Sequence, residues 1–149
     1  MVSIRASAVF NRPADVVWEN IRDFASQIDW IEGAAAIEML EGTGTTVGGV
    51  RRVILENGIE VDESITGIDD LTRTLSYKLL SEYPEVFNVT GFIRVTPVTA
   101  DGTSFVERDL TVDCSLPRQE YEAIIAHRFQ LLTTSLRNLA EVIEQRTAA

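Results

Sequence analysis

The chain has 149 residues, 45% of them hydrophobic and 24% charged, with a formal net charge of −10. That length predicts a single domain over 1–149 with a real core, and the acidic balance excludes nucleic acid and anionic membrane as main partners, since both select basic surfaces. Cys114 is the only cysteine, so no intramolecular disulfide can form, in keeping with a reducing cytoplasmic setting.

Val2–Phe10 reads as a strand, with Ile4, Ala6, Ala8 and Phe10 on one side. Its opening residues alternate and lack the apolar run of a signal peptide. Asn11-Arg12-Pro13 starts a helix, because proline suits a first helical turn, and Val17, Trp18, Ile21 and Phe24 form its apolar side. Asp29-Trp30-Ile31 reads as a second short helix or turn, ended by Gly33. From there the period changes to two. Ala36–Glu41, Gly49–Leu55, Ile59–Thr66, Thr72–Leu80, Phe87–Thr96 and Thr103–Cys114 read as strands, separated by Gly42-Thr43-Gly44, Asn57-Gly58, Asp69-Asp70, Tyr83-Pro84 and Asp101-Gly102. Arg118–Arg146 is one long helix with Tyr121, Ile125, Phe129, Leu132, Leu136, Leu139 and Ile143 as a continuous apolar stripe. No segment approaches the roughly 20 apolar residues of a membrane span.

Three carboxylates stand out. Glu63 shares its side of a strand with Ile59, Val61 and Ile65. If Asn57-Gly58 forms a two-residue turn, Arg52 lies opposite Glu63; if the turn carries a bulge, the register slips and Arg51 takes that place. Glu107 and Asp109 are two apart, so both project to one face. Periodicity alone sends Val106, Leu110 and Val112 inward and leaves these acids in water. Tyr77, between Leu75 and Leu79, is expected to face inward as a core aromatic or as a hydrogen-bonding group. Trp18 and Trp30 read as core or rim hydrophobes.

The order strand, two short helices, six strands, long helix resembles the helix-grip fold of the START/Bet v 1-like (SRPBCC) superfamily, including bacterial polyketide cyclase/dehydrase-like proteins. The pieces that carry the likeness are Pro13-Ala14-Asp15-Val16-Val17-Trp18, Val47-Gly48-Gly49-Val50-Arg51-Arg52, Asp62-Glu63-Ser64, Ser76-Tyr77-Lys78 and Leu139-Ala140-Glu141-Val142-Ile143. The resemblance implies an α+β fold, with a curved seven-stranded antiparallel sheet wrapped around the long helix and an internal cavity. A distant likeness to plant abscisic-acid receptors adds Asn88 and a glutamate in the last strand. Their gate loop is missing, with Glu56-Asn57-Gly58 in its place, their latch falls near Pro84-Glu85-Val86 and their pocket lysine falls at about Ile31. A hormone-receptor role is therefore not implied. The family pattern does imply that Glu107, and with it Asp109 and Phe105, faces the cavity, against the periodicity. It also places His127 near a pocket-lining position, although a half-exposed filler is the simpler reading of that residue.

The expected ligand site comprises Glu63, Tyr77, Glu107, Asp109, Arg52, Val61, Val89, His127 and Leu131. One histidine and one cysteine cannot make the usual zinc sites, and no nucleophile elbow, phosphate loop or dinucleotide fingerprint occurs, so no cofactor and no metal are expected. The first reading of function is a carrier or sensor for a small, largely apolar molecule, in a monomer or homodimer. On that reading the acids favour hydroxyl, amine or amide groups over a carboxylate. A second is a cyclase, dehydratase or isomerase with Glu107 or Glu63 as acid–base, one carboxyl pKa raised by repulsion and desolvation, and Tyr77 polarising a carbonyl. A third is a lipid chaperone or protein-interaction module using Tyr83–Phe87 or Trp30-Ile31.

Overall fold

Strict alternation of apolar and polar residues forces one face of each strand against a partner surface, and a single antiparallel sheet answers that demand. The computed structural model describes residues 1–81 and 85–148, and the expected Tyr83-Pro84 turn lies outside them. Seven strands, β1 (Val2–Phe10), β2 (Ala34–Glu41), β3 (Val50–Leu55), β4 (Glu60–Asp69), β5 (Thr74–Leu79), β6 (Val86–Val98) and β7 (Thr103–Cys114), join in the order β1-β7-β6-β5-β4-β3-β2. The first and second strands are thus the two edges. The chain between them crosses the inner face through α1 (Ala14–Glu19) and a 3₁₀ turn at Phe24–Ser26. The 31-residue helix α2 (Arg118–Ala148) lies mainly against β1 and β7. This is the α+β helix-grip arrangement.

The strand boundaries differ from expectation where local chemistry intervenes. β4 runs on to Asp69 because a bulge between Ile65 and Gly67 restores its pairing with β5. β6 extends through Pro97, beyond the pairing with β5 that ends at Arg94, so the missing proline N–H interrupts no ladder there. The second short helix lies at Phe24–Ser26, and Asp29 and Trp30 form a turn. Asp23 fixes it, its side chain accepting from the Ala25 amide at 2.9 Å as an N-cap.

Gly44, in the β2–β3 connection, presses on this cap, and its carbonyl accepts from the Phe24 amide at 2.8 Å. A Cβ there would overlap Asp23 Oδ1 and sit 2.6 Å from the Ala25 nitrogen. Gly44→Ala is expected to destabilise the protein by about 1–3 kcal/mol, read as a lower urea midpoint at unchanged m-value.

The core gathers Ile4, Ala6 and Phe10 of β1, Val106 and Val112 of β7, Ile93 and Val95 of β6, Val17, Trp18 and Ile21, and Leu132, Leu136, Leu139 and Ile143 of α2. The far end of α2 is pinned by Arg146, which donates to Asn20 at 2.7 Å and Asp29 at 3.0 Å, and by Glu144, which accepts from Arg12 at 2.7 Å. Buried Trp18 donates from its indole to Asp70 at 2.7 Å, and Arg22 grips the same carboxylate. Hydrogen bonds from Arg22 first and Trp18 second hold the Asp70 carboxyl below the usual aspartate range. Its contribution to stability is therefore present above the unfolded pKa and is lost as pH falls below about 4. Thermal melts of the wild type and Asp70→Asn should accordingly differ at pH 6 and converge toward pH 2.

Candidate functional site

Side-chain parity decides which charges the sheet turns inward. Val106, Leu110 and Val112 are buried in the core, so Arg108, of the same parity, points inward with them. Glu107 and Asp109 face outward. Asp109 pairs across the sheet with Arg5, whose guanidinium lies 3.0 Å from its carboxylate, and also accepts from Ser3. Glu107 lies 3.9 Å from the same guanidinium. Asp109 is only 5% exposed because Arg5 covers it, while Arg5 and Arg94 in turn stack on Phe92 of the neighbouring strand. The inward placement of Glu107, Asp109 and Phe105 is thus corrected. The alternation of the strand prevails, and these residues form an outer ladder, so three carboxylates sharing one cavity do not occur.

Arg52 is corrected likewise. The β3–β4 hairpin pairs Leu55 with Ile59 around the three residues Glu56-Asn57-Gly58, with Gly58 at φ +87°. This is the bulged form, and it sets Arg51 opposite Glu63. Arg52 goes to the outer face, where it grips Asp62 at 2.8 and 3.0 Å and approaches Glu60 at 3.4 Å. Its hydrogen bonds hold the Asp62 carboxyl below the ordinary range.

On the inner face a belt of charged and aromatic groups crosses five strands. Arg51, 3% exposed, donates through Nε and Nη2 to Glu63 Oε1 at 3.0 and 2.9 Å. Through Nη1 it donates to the Phe24 carbonyl and to Gln27 Oε1, both at 2.8 Å. Its guanidinium carbon sits 3.4 Å from the centre of the Phe24 ring. Burial lowers the Arg51 pKa, and the attraction of Glu63 opposes that shift. Phe24 meets Tyr77 with ring centres 5.7 Å apart.

Tyr77 then reaches over β6 to β7. Gly91 lies beneath it as its cross-strand partner, and a Cβ at Gly91 would fall 2.7 Å from both Cζ and Oη of Tyr77. The absence of a side chain there lets the phenol lie across the strand, where its hydroxyl accepts from Arg108 Nη2 at 3.3 Å. Arg108 in turn lies over the ring of Trp30 at 5.5 Å.

Sequence reasoning anticipated Glu63 and Tyr77 on this face. Val61 lies opposite Val53, Val89 is in the core, Leu131 is half-buried on α2 and His127 is exposed. Of the two registers open at the Asn57-Gly58 turn, the bulged one is realised, which makes Arg51 the partner of Glu63; Arg108, Gln27 and Gly91 were not anticipated. For Arg108 the signal was its parity with Val106 and Leu110. Among the described residues no cluster of three or more metal-ligating side chains occurs, and no helix is long and apolar enough to cross a membrane.

Above this belt the packing of α2 is uneven. In the second half of the helix Leu132, Leu136, Leu139 and Ile143 are sealed. In the first half Tyr121, Ile124 and Ile125 are only partly buried and Phe129 is 48% exposed. Among the described residues the stripe is thus sealed less completely over its first half than over its second.

Residues 1–144 match the family model described as polyketide cyclase/dehydrase and lipid transport. Among solved structures, a protein from Nitrosospira multiformis is 22% identical over 99% of this chain and 100% of its own, with a TM-score of 0.78. The protein XoxI from Bacillus cereus is 22% identical over 96% of each chain, at 0.82. A protein from Thermobifida fusca is 24% identical over 97% of this chain and 95% of its own, at 0.77. These likenesses show the fold. No curated protein matches the chain in sequence.

Proposed function

The chain belongs to the polyketide cyclase/dehydrase and lipid transport family, and on that footing we propose that it binds a small, largely apolar molecule between the inner face of the sheet and the first half of α2, as a carrier or sensor. The observation that carries this reading is the mismatch between helix and sheet. α2 lies mainly against β1 and β7, while the partly buried Tyr121 and Ile125 and the half-exposed Phe129 on the helix, and the inner-face polar groups Glu63, Tyr77 and Arg108 on the sheet, belong to the two surfaces that would enclose a ligand. A few convergent polar groups in apolar surroundings are what a ligand site requires. Glu107 lies on the outer face beside Arg5, away from a molecule held between sheet and helix, which favours binding over the acid–base reading. Glu63, committed to Arg51, serves better as a structural anchor of the belt than as a proton donor.

Native mass spectrometry of gently purified protein, followed by a lipid and metabolite panel, tests the reading. A retained or added small molecule that protects the first half of α2 from hydrogen exchange is the expected result. Protein that stays ligand-free across the panel, with that half already as protected as the second, would sink it.

A further inference from the structure

In a protein of net charge −10, the inner face of the sheet carries the opposite balance. Its buried charged groups are Arg51, Arg108 and Glu63, two cations against one anion, since the fourth buried charge, Asp109, belongs to the outer ladder. Glu63 is consumed by Arg51, with both Arg51 contacts on the same carboxylate oxygen. Arg108 is 8% exposed, forms no ion pair among the described residues, and has the Tyr77 hydroxyl as its only hydrogen-bond partner, at a long 3.3 Å. Its Nε is sealed and unpaired, and so is the indole nitrogen of Trp30, the ring over which it lies. Buried guanidinium groups in folded proteins are paired or hydrogen-bonded nearly to capacity. An arginine whose Nε is sealed and unpaired among the described residues, and which is held in position by an aromatic ring and one long hydrogen bond to a phenol, keeps guanidinium donors available for an anion.

We propose that the ligand is an amphipathic acid whose carboxylate pairs with Arg108 and accepts a further hydrogen bond from the Tyr77 hydroxyl, its apolar body running toward the first half of α2. This rests on the binding reading above and names the class of ligand. A monoanion matches the surplus of one positive charge, whereas a phosphate monoester would bring a second negative charge that no described inner-face group balances. The fork of the guanidinium suits a carboxylate in two-point contact. The preference for hydroxyl or amine ligands expected from three inward acids is thereby reversed, because two of those acids face out and a cation faces in.

The test compares straight-chain carboxylates of six to sixteen carbons with the primary alcohols of equal length, by titration calorimetry at pH 7.5. The acids should bind roughly 10- to 100-fold tighter than the alcohols, should shift the Arg108 Nε–H resonance in NMR spectra, and should lose that advantage in Arg108→Gln. If that variant does not fold, Arg108→Met, apolar and of similar length, carries the same comparison. Acids and alcohols bound equally by the wild type, or an acid preference that survives loss of Arg108, would overturn the proposal and leave the binding reading standing. Failure of every member of both series to bind would count against the binding reading itself, and the proposal would fall with it.

Discussion

Replacing Arg51 with methionine is expected to cost about 3–5 kcal/mol of folding stability, measured as a fall in the urea midpoint. The loss of the arginine is the smaller part of that figure. Its removal leaves the Glu63 carboxylate, 9% exposed, without a counterion and strips a donor from the Phe24 carbonyl and from Gln27 Oε1. Gln27 itself spans the belt by donating to the Ile21 carbonyl at 2.8 Å, so its reorientation would propagate into the connection between α1 and β2. A double variant, Arg51→Met with Glu63→Leu, should recover much of the loss, because replacing both members of a buried pair removes the orphaned charge.

The same substitution at Arg108 should act in the opposite direction. Arg108→Met is expected to stabilise the ligand-free protein by about 1–3 kcal/mol, the usual cost of leaving a buried polar group unsatisfied, with a corresponding rise in melting temperature. Both arginines lie on one face and both are nearly buried, yet one is fully paired and the other is not. Opposite signs for one chemical change at two such positions would mark Arg108 as a group kept for binding at a cost to the fold. Equal destabilisation at both would mean that Arg108 is satisfied in solution and that no ligand group is missing.

The fold was legible because its signals were redundant. Seven alternating runs, their turn residues and a stripe of 3.6-residue period each point to the same sheet and helix, and a misplaced boundary, as at Glu60–Asp69, changes no face. The site was legible only in part, because it depends on single-residue register. The tripeptide Glu56-Asn57-Gly58 is compatible with a tight or a bulged hairpin, and that choice alone decides whether Arg51 or Arg52 meets Glu63. On β7 the alternation of Val106, Leu110 and Val112 pointed the right way for Glu107 and Asp109, and the family likeness pointed the wrong way. A buried arginine is also easily overlooked, since sequence reasoning assigns charges to solvent; only the company of Arg108 on its strand argued otherwise. Gly91 could not be read at all, because its role depends on a tyrosine one strand away.

On the proposed reading, the ligand meets the protein at the inner face, centred on Tyr77 and Arg108. Chemical-shift mapping with dodecanoate is the decisive measurement. Resonances of Tyr77, Arg108, Trp30 and Ile125 are expected to move together and saturate, while those of Arg5, Glu107 and Asp109 on the outer ladder stay in place. Saturable shifts confined to the outer ladder, or none on the inner face, would contradict that reading.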